Sequence, residues 1–151
     1  MNIKTDHVFQ VPRQQLWDLL LDAKRLANCI PGCEKLQEDG SDKYTAILKV
    51  GVASVKGTYT GRVEIRDKQP PSHYKLAVEG KAIPGYVRGL AALDLAEQGP
   101  LETRLTVNGD VEVGGLIASV GQRFLSGIAV QMAKLFFKNI EKELEAGGGA
   151  A

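Results

Sequence analysis

The chain has 151 residues, enough for one domain with a substantial core. Its 19 basic and 18 acidic side chains leave a formal net charge of +1, which excludes the strongly basic face that binding to nucleic-acid phosphates requires. The first residues, MNIKTDHVFQVP, lack the apolar run of a signal peptide, and no stretch approaches the roughly 18–20 apolar residues of a membrane span; a cytoplasmic protein with reduced thiols is expected.

In chain order, Val8, Phe9 and Val11 mark a short first strand within residues 4–11. Pro12 suits a helix start, where a missing N–H costs nothing. Leu16, Leu19, Leu20 and Ala23, then Leu26, Ala27 and Ile30, follow helical spacing. Asp22 is placed to cap a second short helix, which Pro31 and Gly32 stop. The period then changes to two. Tyr44, Ala46, Leu48, Val50 and Val52 form one alternating set, and Val55, Gly57, Tyr59, Gly61 and Val63 another. Both predict strands with one dry and one wet face. Tyr74, Leu76 and Val78 repeat the pattern after the turn RDKQPPSH. A strand whose facing the pattern leaves open, YVRGLAALDLAE, follows the 83–85 turn. After QGP, Leu101, Leu105, Val107, Val111 and Val113 alternate again.

These short turns imply an antiparallel meander. From Leu116 the period is four: Leu116, Val120, Phe124, Ile128, Met132, Phe136, Ile140 and Leu144, with Ile117, Leu125 and Leu135 widening the stripe. One amphipathic helix through Glu145, about 40 Å long, is predicted, with residues 146–151 as a flexible tail. The expected class is α+β: a first strand, a short helix pair, a curved antiparallel sheet of roughly six or seven strands, and a long C-terminal helix, each covering the other's apolar face.

The glycines need a reason. Gly57, Gly61 and Gly109 lie in register with inward apolar residues, and Gly51 and Gly89 also fall inside strands. Such glycines bend a sheet or leave space beside it. With Ala46, Ala91 and Ala92 they leave the inner face short of bulk, which predicts an apolar ligand cavity. Burying about 250 Å² of ligand there is worth about 6 kcal/mol before binding costs. The candidate lining is Leu48, Val50, Tyr59, Leu105 and Val107 from the sheet and Val120, Phe124 and Ile128 from the helix. Leu20, Ile30 and Tyr86 are placed towards the opening, and Tyr59 or Tyr86 is the expected donor to a ligand carbonyl.

Catalytic candidates are weaker. Cys29 and Cys33 flank an Ile-Pro-Gly turn, but the chain has no other cysteine and its two histidines fall in separate strand-like segments. The pair reads as structural thiols, not as a metal site. His7 follows Asp6 in a near-terminal strand and reads as part of a solvated pair; His73 reads as a turn residue. Asp94 is expected to face outward, with Arg88 on the same face as a candidate partner. No GxSxG, Walker, HExxH or EF-hand pattern occurs. Lys134, Lys138 and Lys142 form a basic stripe, read as a solvated helix face. An enzyme using the cavity would need Asp94, Arg88, Tyr59 or His73 to converge inside it.

The segments VPRQQLWDLLLDAKRLANCIPGCEKL, YTAILKVGVASVKGTYTGRVEI, EGKAIPGYVRGLAALDL, TRLTVNGDVEVGGLIASVGQRFL and FFKNIEKEL resemble the carbon monoxide dehydrogenase G-subunit family, within the START-like, polyketide-cyclase-like superfamily. The resemblance spans residues 8–144. It implies a helix-grip fold and a single START-like ligand-binding domain over residues 1–145. It also implies a non-catalytic accessory role beside a molybdenum hydroxylase of the carbon monoxide dehydrogenase type. No covalently bound cofactor is implied, but a lipophilic ligand such as a quinone is, and so is a link to the inner face of the cytoplasmic membrane. Some family members carry a long C-terminal extension for that link; with the ending EAGGGAA, the contact falls to the basic stripe and the cavity rim. The Cys-Ile-Pro-Gly-Cys segment becomes a family corner near that rim. A cyclase-like enzyme and a pure assembly factor are the alternatives.

Overall fold

The computed structural model describes residues 1–52, 55–83 and 85–148; Pro84 of the predicted turn and residues 149–151 of the predicted tail lie outside them. In chain order the elements are β1 (Asn2–Phe9), α1 (Arg13–Leu20), α2 (Ala23–Ala27), β2 (Cys33–Gly40), β3 (Lys43–Val50), β4 (Gly57–Gln69), β5 (His73–Ala82), β6 (Gly85–Gly99), β7 (Glu102–Gly114) and α3 (Gln122–Gly148). All seven strands form one antiparallel sheet in the order β1-β7-β6-β5-β4-β3-β2. The first strand thus lies beside the last, and the curved sheet wraps α3. This is the α+β helix-grip arrangement expected.

Local chemistry sets the turns. Pro12 caps α1, and its carbonyl accepts from the amides of Gln15 and Leu16. The Asp22 carboxylate accepts from the amides of Lys24 at 3.1 Å and Arg25 at 3.4 Å, so it caps α2 as expected. At the corner before β2, Gly32 has φ +74°, and its carbonyl accepts from the Lys49 amide at 2.8 Å. A Cβ there would stand 2.3 Å from the Lys49 carbonyl oxygen, so only glycine permits this approach.

Four boundaries differ from the sequence reading, one of them the end of the long helix, where residues 146–148 of the expected tail are helical. β1 runs Asn2–Phe9 instead of residues 4–11, because its ladder with β7 begins at the pair Asn2 and Asp110. β2 had no distinct signal: CEKLQEDG carries one large apolar residue, Leu36, and owes its strand form to pairing with β3 at the sheet edge. The predicted long helix is broken. Leu116–Val120 is a short 3-10 turn, and Gly121, at φ +97°, separates it from α3. The four-residue period crosses the break although Leu116 and Phe124 of that stripe are exposed; in the turn it is Ile117, with Val120 beside it, that packs inward. α3 then runs through Gly148, about 40 Å for 27 residues.

The core is uneven. Around α1, large side chains fill the space: Phe9, Leu16, Trp17, Leu95 and Leu105 pack against Phe137, Ile140 and Leu144 of α3. A smaller cluster of Val55, Tyr59 and Ile117 lies near the start of α3.

Candidate functional site: an apolar cavity under the long helix

Between the two clusters the interior is hollow. The strand registers place Leu36, Ala46, Gly61, Gly80, Val87 and Val113 side by side across β2 to β7. The middle of this row carries almost no side-chain volume. Opposite it, α3 presents Leu125, Ile128, Ala129, Met132, Ala133 and Phe136 on one stripe. The space between is a cavity of about 560 Å³, within the range of small-molecule sites. A Cβ on Gly80 would meet nothing within 4 Å, and one on Gly61 only ordinary contacts at 3.7 and 3.8 Å. These two glycines open space.

Other glycines do something different. A Cβ on Gly89 would lie 2.4 Å from the Asp110 carbonyl oxygen, and one on Gly109 would touch Ala91 at 3.4 Å. Both mark close approach of β6 and β7. Ala46 and Ala91 border the cavity, whereas Ala92 alternates outward.

Of the residues singled out from sequence, Leu20, Ile30, Leu48, Val50, Tyr59, Val107 and Ile128 border the cavity. Leu20 does so from the packed α1 end instead of an opening. Four others are corrected. Leu105 faces inward but is fully enclosed by the α1 cluster, so it has no surface left for a guest. Tyr86 falls on the outer face of β6, because Val87, Ala91 and Leu93 take the inner one. Its ring lies under the Arg88 guanidinium at 5.6 Å. Val120 packs from the 3-10 turn onto the Val55, Tyr59 and Ile117 cluster. Phe124 is 46% exposed in the first turn of α3.

Polar groups around the cavity are few. The Tyr59 hydroxyl donates to the Val55 carbonyl at 2.8 Å and is therefore committed to the backbone. Sequence reading overlooked two further phenols, Tyr44 and Tyr74, which also border the space. The alternation Tyr74, Leu76, Val78, Gly80 on β5 carried the signal for Tyr74, together with the most open glycine of the cavity. Burial pushes the Tyr74 hydroxyl far above the ordinary tyrosine range, and the Tyr44 phenol adds to the shift.

The catalytic candidates do not meet. His73 donates from Nδ1 to the Asp94 carboxylate at 2.7 Å, on the outer face as expected for Asp94. Arg88 pairs with Glu112 at 3.1 Å and not with Asp94. Asp6 and His7 point to opposite faces of β1: Asp6 pairs with Arg104, whereas His7 Nε2 meets Glu141 of α3 at 2.7 Å and its ring stacks on Phe137. Lys134, Lys138 and Lys142 are exposed, the solvated stripe expected.

Both cysteines are free. The Cys29 thiol is buried and donates to the Arg25 carbonyl; its own carbonyl accepts from Asn139 of α3 at 3.0 Å. Burial first, then the nearby Glu143 carboxylate, pushes the Cys29 thiol up to about 11. Burial also raises Cys33. A buried thiol held protonated in this way is a poor nucleophile, Cys29 more so than the less buried Cys33. Among the described residues, no three His, Cys, Asp or Glu side chains are grouped to hold a metal ion.

A curved antiparallel sheet gripping one helix over an apolar hollow defines a helix-grip domain with a ligand-sized interior. The family model of the carbon monoxide dehydrogenase G subunit, CoxG, matches residues 7–145, and the chain belongs to that family. A conserved protein from Geobacillus kaustophilus is 39% identical, with a TM-score of 0.94 over 97% of this chain and 96% of its own. At lower identity the likeness is one of fold. A START superfamily protein from Mycobacterium smegmatis has 12% identity and a TM-score of 0.74, over 96% of this chain and 97% of its own. The Zhui aromatase/cyclase from Streptomyces sp. R1128 has 18% identity and a TM-score of 0.70, over 96% and 93%. A comparison with curated proteins gives no match.

Proposed function

We propose that this protein is a non-catalytic accessory of a molybdenum hydroxylase of the carbon monoxide dehydrogenase type. It holds a lipophilic molecule, of which a quinone is one example, and links the enzyme to the inner face of the cytoplasmic membrane. The observation that carries this reading is the cavity of about 560 Å³ with its apolar lining. Membership of the CoxG family supports the partner. His73, Asp94 and Arg88, the groups a cyclase-like reaction would need inside, are engaged on the outer face, which favours carriage over catalysis.

The end of the fold where α3 begins supports the membrane link. The registers bring the β3–β4 connection, the β5–β6 turn and the β7–α3 connection to that end. Val52, Ile83, Leu116 and Phe124 stand exposed there, Ile83 completely. Lys56 and Arg123 are exposed beside them and suit anionic headgroups. No helix among the described residues is long and apolar enough to cross a membrane, so the contact in this reading is peripheral. The test is co-expression with the molybdenum hydroxylase of the same organism, followed by vesicle flotation. The hydroxylase is expected to float with anionic vesicles only when this protein is present. A hydroxylase that floats equally well without it overturns the reading.

A further inference from the structure

The α1 end of the cavity carries a polar group that the protein itself does not use. Tyr74 is only 3% exposed, borders the cavity and meets the Trp17 ring edge-on at 5.4 Å. Among the described residues its hydroxyl has no hydrogen-bond partner. Yet among the described residues no side-chain oxygen or nitrogen that is sealed from open space lacks a partner. The Tyr74 hydroxyl therefore keeps a small area of open surface, and the open space that Tyr74 borders is the hollow. A wholly apolar guest filling that space would leave the hydroxyl buried without a partner, and an acceptor on the guest avoids that cost.

We propose that the Tyr74 hydroxyl is the recognition group of the cavity: it donates a hydrogen bond to a carbonyl or ether oxygen at one end of an otherwise apolar guest. The guest then lies with its polar end against α1 and its chain running towards the start of α3. This rests on the reading of the cavity as a lipophile site and specifies the guest's chemistry and orientation within it.

The distribution of donors argues for that orientation. Tyr59, near the start of α3, is committed to Val55, and Tyr86 is on the outer face. Tyr44, the third phenol bordering the cavity, neighbours Tyr74. At the opposite end the exposed side chains of Ile83, Leu116 and Phe124 suit a hydrocarbon chain. From Tyr74 to Gly80 along β5 the distance is about 20 Å, six residues at about 3.3 Å each, so the guest is elongated. Burial keeps the phenol protonated across the physiological range, as a donor must be.

The test compares wild type with Tyr74→Phe, which keeps the ring against Trp17, using decylbenzoquinone and decylbenzene as probes. Binding is followed by quenching of Trp17, the sole tryptophan, and by calorimetry. In wild type the carbonyl stretch of bound decylbenzoquinone is expected at lower wavenumber than in hydrocarbon solvent. Tyr74→Phe is expected to weaken the quinone about fivefold to tenfold, abolish that shift and leave decylbenzene unchanged. If both probes bind the two proteins equally, with no carbonyl shift in wild type, the anchor is overturned while the lipophile reading stands. If neither probe binds wild type, both fall together.

Discussion

Replacing Gly80 by valine separates a hollow interior from a merely bent sheet. Gly80 lies in β5 opposite Gly61 and Val87, and a Cβ on it would meet nothing within 4 Å. In a tightly packed strand the substitution would clash. Here the added side chain projects into the cavity. Removing a mid-strand glycine contributes about 0.5–1 kcal/mol, and partial burial of the new side chain brings the total gain to about 1–2 kcal/mol. The same three carbons displace about three methylenes of a guest. At about 0.8 kcal/mol each, the loss is about 2.4 kcal/mol, roughly fiftyfold in the dissociation constant. Urea denaturation and titration with decylbenzoquinone read the two effects separately. Stability should rise while affinity falls. A drop in stability, or an affinity left unchanged, would refute the reasoning about this glycine row.

Further outcomes are expected elsewhere. Asp22→Ala removes both side-chain bonds to the first amides of α2 and should cost about 1 kcal/mol in urea denaturation. Cys29 should resist iodoacetamide in the folded protein, since at a given pH below 9 a thiol raised to about 11 carries a roughly hundredfold smaller thiolate fraction; Cys33, less buried, should react first. The sign of the alkaline effect follows. Unfolded Cys29 ionises near 9.0 and folded Cys29 near 11, so its contribution is complete below pH 9 and lost as pH climbs towards 11. Cys29→Ala should flatten that part of the pH–stability curve. Replacing exposed Ile83 and Leu116 together by aspartate should leave the fold intact and reduce partition onto anionic vesicles at least tenfold, as withdrawal of two large side chains from the lipid implies.

The sequence carried the fold where periodicity was unbroken. Alternation in 44–50, 74–78 and 105–113 and the four-residue stripe of α3 are visible in the residues themselves. β2 was not, because an edge strand with one large apolar residue is made by its partner and not by its own pattern. The false continuation of the helix back to Leu116 has a different cause: apolar spacing does not report burial, Leu116 and Phe124 are exposed, and only the backbone at Gly121 separates the turn from the helix. The hollow was legible from glycines, but which glycines open space was not. Gly61 does, Gly89 and Gly109 lie against neighbouring strands, and Gly80 was passed over. Nor could alternation tell that Leu105, correctly inward, would be sealed by α1 and Phe137. That depends on which end of each strand the large side chains occupy.

The most direct test of the central claim is native mass spectrometry of the purified protein after incubation with a bacterial membrane lipid extract. A one-to-one adduct with a lipophile, reduced by Gly80→Val, is the expected result. A bare chain at every lipid concentration, with the same interior fully protected from apolar probes, would contradict it.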